Sequence, residues 1–379
     1  MTARTTTRIL IVCVSLLLAL GFVMLASSSA VRAMADEGDP LYFVKRQACW
    51  LVLAVIAAWV VIRIDYHWYR KAVLPIGIVA LGLLVLVLIP GIGVEVNGSR
   101  RWLGVGFARI QPSEFAKIAM VIMLAAWMAH VERRASDMRA GWILPICGLG
   151  LMLVLIMSEP DFGTTLLVGF VGLMLMFIGG TRWNYLAVTV ALGMALFAIA
   201  IMDDPIRRTR ILAFLSPDRY PETAYHLTQS IVAFIRGGFS GVGIGNSIQK
   251  QRYLPEPHTD FIYAIIAEER GFIFTALILV LFLAIMYCGV KICHLAPETF
   301  GRLMAFGLTM IVVVQAAINI GVVTGCLPTK GIALPFISYG GSSLLASVVG
   351  MAILANIGLN GIEERDDPSR SVQDRCRRF

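Results

Sequence analysis

Ten separate apolar runs, each long enough to cross a lipid bilayer, leave this chain little alternative to a helical membrane bundle. About 17 to 25 mainly apolar residues cover roughly 30 Å of hydrocarbon at 1.5 Å per residue. Such runs recur at residues 9–25, 48–64, 73–92, 115–131, 142–157, 164–179, 186–202, 261–289, 303–325 and 342–361. Backbone polar groups find no water inside a bilayer, so the runs are expected as helices, and the two-residue alternation of a membrane barrel is absent. The predicted fold class is therefore an all-α polytopic membrane protein of about ten transmembrane helices. One membrane domain covers residues 1–362, with a long loop at 203–260 between the seventh and eighth spans. A tail at 363–379, rich in Arg, Asp and Ser, reads as disordered.

Composition excludes the other broad classes. Of 379 residues, 58% are hydrophobic and 15% charged, against roughly 45–50% and 25% in soluble domains. A water-soluble enzyme, a disordered chain, a collagen-like fibre and a secreted disulfide scaffold are all incompatible with that balance. The cysteines (Cys13, Cys49, Cys147, Cys288, Cys293, Cys326 and Cys376) lie scattered, mostly inside apolar runs, with no CxxC or metal-ligand spacing, and read as packing residues. The net charge of +8 is first expected on cytoplasmic flanks. With the amino terminus inside, Arg70, Lys71, Arg133, Arg134, Arg139, Arg182, Lys291, Arg302 and the basic tail fall on the cytoplasmic side. Both termini are then cytoplasmic and the 203–260 loop is external. Arg4 and Arg8 ahead of the first run, with Ala33-Met34-Ala35 after it, also resemble a secretory signal. The run of about 17 apolar residues exceeds the usual 7 to 15, so it reads as a span.

Chemistry is expected where polarity breaks the lipid rules, and the four such places share the external side. The first is Asn97-Gly98-Ser99-Arg100-Arg101-Trp102, followed by Gln111-Pro112-Ser113-Glu114 and Lys117. Gln111, Glu114 and Lys117 are three apart and share one side of a helix, with Lys117 about a turn inside the membrane. The second is Glu159-Pro160-Asp161-Phe162-Gly163, a turn in which Asp161 is expected to cap the next helix. The third is the long loop. Leu227, Ile231, Phe234 and Ile235 recur at helical spacing, as in a helix lying on the membrane surface, and a run of glycines at 237–245 reads as a linker or an anion-binding nest. The loop ends in Leu254-Pro255-Glu256-Pro257-His258-Thr259-Asp260. A carboxylate at a membrane mouth is partly desolvated, which raises its pKa toward the range of a general base, so Asp260 is the leading base of the chain. Glu268, Glu269 and Arg270 read as an internal ion cluster. The fourth place, residues 325–343, has too many prolines and glycines for a continuous helix and too little polarity for a solvated loop, so a re-entrant segment is expected.

Together, Gly98-Ser99-Arg100-Arg101-Trp102, Gln111-Pro112-Ser113-Glu114 with Lys117, Glu159-Pro160-Asp161-Phe162-Gly163, Leu254-Pro255-Glu256 with His258-Thr259-Asp260-Phe261, and Leu327-Pro328-Thr329-Lys330-Gly331 through Pro335-Phe336-Ile337-Ser338-Tyr339-Gly340-Gly341-Ser342-Ser343 resemble the SEDS family (shape, elongation, division and sporulation). The Thr329-Lys330-Gly331 and Pro257-His258-Thr259-Asp260-Phe261 strings are more similar to its division members than to its elongation members. The resemblance implies the SEDS fold and a peptidoglycan glycosyltransferase acting on lipid II outside the cytoplasmic membrane. It implies Asp260 as the base for the acceptor hydroxyl, Arg101 and Lys117 as cations for the departing diphosphate, Gln111 and Glu114 as orienting groups, and His258 as a residue that positions the acceptor. It also implies a divalent cation, Mg²⁺ or Mn²⁺, with no ligand set legible. A class B penicillin-binding protein transpeptidase and other division proteins are the implied partners. A lipid II flippase is the rival reading, because the same polar groups would line a translocation path.

Overall fold

A computed structural model of the protein describes residues 2–96, 99–105 and 108–366. Thirteen α-helices are described. They are α1 (Ala3–Glu37), α2 (Tyr42–Arg63), α3 (His67–Lys71), α4 (Val73–Leu88), α5 (Pro112–His130), α6 (Leu144–Ser158), α7 (Phe162–Ile178), α8 (Trp183–Met202), α9 (Pro205–Leu215), α10 (Pro221–Gly237), α11 (Ile262–Leu295), α12 (Thr299–Val323) and α13 (Gly341–Asp366). Among the described residues, eight helices are long and apolar enough to cross a membrane, α6 being counted together with the π-helical stretch Met138–Ile143 that leads into it. Two shorter apolar helices, α4 and α7, stand at the third and sixth expected positions. The ten apolar runs therefore all become helices. α13 continues to Asp366; residues 367–379 of the expected tail, like Asn97 and Gly98, lie outside the described residues.

Centre and periphery follow from which faces are apolar all round. Of its apolar window, α13 buries 78% and α5 72%, whereas α8 buries 6% and leaves only Leu186 inside. The core therefore forms where α5, α12 and α13 meet α1, α2, α7 and α11, and α8 offers its sides outward. Buried amides join helices where apolar contact alone gives no register. Asn356 of α13 accepts from the Tyr66 backbone N–H at 3.1 Å and donates to the Ile62 carbonyl at 2.7 Å, closing the end of α2.

Hydrogen bonds join the polar segments at one end of the bundle: Arg101 to the Glu159 carbonyl, Gln111 to Asp161, and Ser338 to the Thr259 carbonyl. Between α4 and α5 that end carries a small antiparallel sheet of β1 (Gly93–Val96), β2 (Ser99–Val105) and β3 (Ala108–Ile110) in the order β1-β2-β3. Gly93 pairs with Leu103 and Leu103 with Ile110, with a bulge between Val94 and Glu95. The expected surface helix is α10, which buries Ala224, Leu227, Ser230 and Ala233 and exposes Ile231 and Ile235.

The long loop is bound into the bundle rather than draped over it. α11 breaks at Gly271, whose φ of 74° and ψ of −174° leave helical space. A side chain there would strike the Phe239 carbonyl and the Gly241 amide. The freed groups on α11 pair with the glycine run: Val242 and Gly243 donate to the Glu268 and Glu269 carbonyls at 3.0 Å each, and Phe272 donates to Gly238 at 2.9 Å. The run is thus neither a free linker nor an anion nest, because these amides are bonded to protein carbonyls. Beside the break lies the expected ion cluster. Lys250 Nζ sits 2.9 Å from Glu269 Oε1, and Arg236 Nη1 sits 2.9 Å from Glu268 Oε1. Ser27 of α1 donates to Glu269, and Ser247 to Glu268. Arg270 instead lies over the Phe274 ring.

Candidate active site

Successive residues of a strand point to opposite faces, so Arg101 and Leu103 share a face of β2. Leu103 is buried, and Arg101 reaches across to the α6–α7 turn. Its Nε donates to the Glu159 carbonyl at 2.9 Å and its Nη2 to the Pro160 carbonyl at 2.6 Å. A guanidinium suits this task because its fork of N–H groups meets two adjacent carbonyls at once. Two residues on, Asp161 caps α7 as expected, accepting from the Thr164 backbone N–H at 3.1 Å and its hydroxyl at 2.8 Å. Gln111, at the N-cap of α5, donates to Asp161 at 3.1 Å and to Ser113 at 3.0 Å. Gln111 therefore ties the start of α5 to the start of α7.

Asp260 stands just before α11, partly buried, with its carboxylate against Gly331. A Cβ at residue 331 would come within 2.9 Å of Oδ2. Burial pushes the Asp260 carboxyl up to about 7; Glu256 and Asp161 add to the rise and Arg101 opposes it. Asp260, Asp161 and Arg101 thus lie within one electrostatic neighbourhood at the end of the bundle. Two more cations edge the same region: Arg207 lies 3.5 Å over the Phe162 ring and Lys330 5.3 Å over the Phe197 ring.

Three of the sequence-derived residues sit deeper. Lys117 and Glu114 are buried and pair at 2.8 Å. Lys117 Nζ also donates to Gln315 Oε1 at 2.7 Å, so the ammonium is engaged by protein. His258 is buried against Phe43, with ring centroids 4.6 Å apart, and near Tyr339 at 5.7 Å. Burial pulls its imidazole down to about 4, countered by Glu256, so the ring is neutral at physiological pH. The sequence reading missed Gln315 and Asn319, both buried in α12. Their signal was present: two amides four apart inside an otherwise apolar run.

Glu159 is fully buried, and neither carboxyl oxygen has a hydrogen-bond partner among the described residues. Burial pushes its carboxyl up to about 8, Asp161 adds to that, and Arg101 offsets part of it. The folded protein then holds a proton that an unfolded chain releases near 4.3. Stability from this group is complete at low pH and declines as pH climbs from there to about 8, by up to roughly 1.4 kcal/mol per unit. Glu159→Gln is expected to remove that decline, giving a thermal midpoint above wild type at pH 8 to 9 but not at pH 5. Identical pH slopes in melts of the two proteins would refute a protonated Glu159.

Among the described residues no group of three His, Cys, Asp or Glu is arranged to hold a metal ion. Asp161 is spent on Gln111 and Thr164, and Glu256 pairs with Arg32 at 3.0 Å. Asp260 is the carboxylate left to face a cation, which amounts to one ligand. Among the described residues the protein alone therefore forms no cage, although Mg²⁺ commonly binds through one or two carboxylates plus substrate phosphates.

Comparison with known proteins decides the family. The model of the FtsW/RodA/SpoVE family, described as cell cycle protein, matches residues 7–361. The chain belongs to the FtsW/RodA/SpoVE family. Family relatives include a probable peptidoglycan glycosyltransferase FtsW of Hahella chejuensis, 39% identical over 369 residues, covering 95% of this chain and 92% of the relative. Stage V sporulation protein E of Bacillus subtilis is 39% identical over 94% of this chain and 98% of its own length. Among solved structures, a chain from work on how a peptidoglycan synthase complex coordinates polymerization and crosslinking matches with a TM-score of 0.76 at 27% identity, covering 93% of this chain and 97% of that one. The rod shape determining protein RodA of Thermus thermophilus matches with a TM-score of 0.68 at 26% identity, covering 93% and 96%. The chain is thus a multi-pass membrane protein of a bacterial family whose fold is that of RodA.

Proposed function

We propose that this protein is a peptidoglycan glycosyltransferase that polymerises lipid II at the outer face of the cytoplasmic membrane. The names of its FtsW relatives support the activity. The observation that carries the chemistry is a carboxyl pushed up to about 7 at the mouth of the bundle, within the field of Arg101. The acceptor sugar's 4-hydroxyl attacks the anomeric carbon of the donor as the bond from that carbon to phosphate breaks. Undecaprenyl diphosphate leaves with the bonding electrons, and Asp260 takes the hydroxyl proton. A base with a pKa near the working pH is well matched to that transfer. The fixed charge of Arg101 favours the developing negative charge on the diphosphate. A divalent ion would be held by the Asp260 carboxylate and would add charge stabilisation of the same kind.

The sequence resemblance to division members supports a place at the septum, and the basic residues flanking alternate spans support cytoplasmic termini. A solved relative that couples polymerization to crosslinking supports a transpeptidase partner of the class B penicillin-binding type. Purified protein, supplied with lipid II and such a partner, is expected to make glycan polymer visible on a gel. Movement of lipid II across vesicles with no polymer formed would overturn this reading in favour of a flippase.

A further inference from the structure

The backbone of Asp260 and the segment beside its carboxylate are bonded to two side chains of α12 that belong to none of the family motifs quoted above. Gln315 and Asn319 are each 2% exposed and, four residues apart, lie on one face of that helix. Asn319 Nδ2 donates twice, to the Asp260 carbonyl at 2.8 Å and to the Ile332 carbonyl at 2.7 Å. One amide therefore grips both the residue that carries the base and the re-entrant segment whose Gly331 touches its carboxylate. Its Oδ1 has no hydrogen-bond partner among the described residues, so its contribution here is as a donor. A turn away, Gln315 Nε2 donates to the next carbonyl of the same segment, Ala333, at 2.9 Å. Lysine has only donors, so the Gln315 oxygen must face Lys117 and its NH₂ must face Ala333. Lys117, fixed in turn by Glu114, sets the orientation of Gln315.

We infer that Gln315 and Asn319 are positioning residues for the transfer reaction, and that the buried Lys117 serves the site by locking Gln315 rather than by touching the diphosphate. The inference rests on the polymerase reading above and deepens it. Residues 324–340 form no helix, and beyond residues 324–327, whose amides bond to carbonyls at the end of α12, the described hydrogen bonds from α12 to this segment are those to Ile332 and Ala333 beside Gly331. A shift of about 1 Å in a reacting group suffices to lose about a hundredfold in rate.

The test uses full-length protein with lipid II and its transpeptidase partner. Asn319→Leu removes both bonds at similar volume; kcat for polymerisation is expected to fall about a hundredfold, with KM for lipid II changed by less than about twofold. Hydrogen exchange across residues 327–335 is expected to quicken in the same variant. Should Asn319→Leu fail to fold, Gln315→Glu decides: it keeps an acceptor for Lys117, turns the donor to Ala333 into a carboxylate oxygen, and is expected to show the same kcat-specific loss. Wild-type kcat in either folded variant, or a loss carried by KM, overturns the inference. Asp260→Ala run alongside separates the two levels. If that control still polymerises, the polymerase reading of the site falls; if it is inactive while Asn319→Leu is normal, only the positioning role falls.

Discussion

Asp260→Asn is expected to lower polymerisation by about a thousandfold while leaving the protein folded, because it keeps the size of the side chain and removes only its basicity. The wild-type pH profile should carry a matching signature. The base works ionised, and its carboxyl is pushed up to about 7. The rate kcat/KM is then expected to rise about tenfold per unit as pH approaches 7 and to level above it. A carboxylate at the ordinary value near 3.9 would level before pH 5. In the asparagine variant that limb should vanish. Polymer formed at wild-type rate by Asp260→Asn, or a wild-type profile flat from pH 5 to 8, would rule out Asp260 as the base.

The second large effect lies away from the reacting atoms. Lys250→Met leaves Glu269, which is fully buried, with a hydroxyl from Ser27 as its remaining side-chain partner. Deleting one member of a buried ion pair typically costs about 3 to 5 kcal/mol, since the orphaned charge stays out of water. Thermal unfolding in detergent is expected to show a loss of that order. Adding Glu269→Gln to the same chain should restore most of it, because the double change removes the uncompensated charge. A double variant no more stable than Lys250→Met alone would mean that the pair does not couple the loop to α11.

Run length alone located all ten apolar helices, because few structures besides a helix hide a backbone in lipid. It said nothing of β1, β2 and β3, whose strands are short and whose sequence is mixed in polarity, nor of the break at Gly271, a glycine with isoleucine and phenylalanine close behind it. The site was legible unevenly. Asp260 and Arg101 stand in polar strings at span ends, where ionisable residues draw notice. Lys117 was equally visible, but its burial and its bond to Gln315 depend on how α5 meets α12, which one helix's periodicity does not contain. Gln315 and Asn319 went unread because a hydropathy window averages two amides into the leucines and valines around them. The reaction itself came from family motifs; charge and spacing alone distinguished a base and cations, without saying which bond they act on.

The break in α11 ties together parts of the chain far apart in sequence. Gly237, Gly241 and Gly271 interlock so closely that a methyl group on any of them would overlap the backbone of the opposing segment. The three behave as one steric lock with contributions from both sides. Variation in the long loop is therefore free only outside that lock, and within it a change on either side demands a matching change on the other.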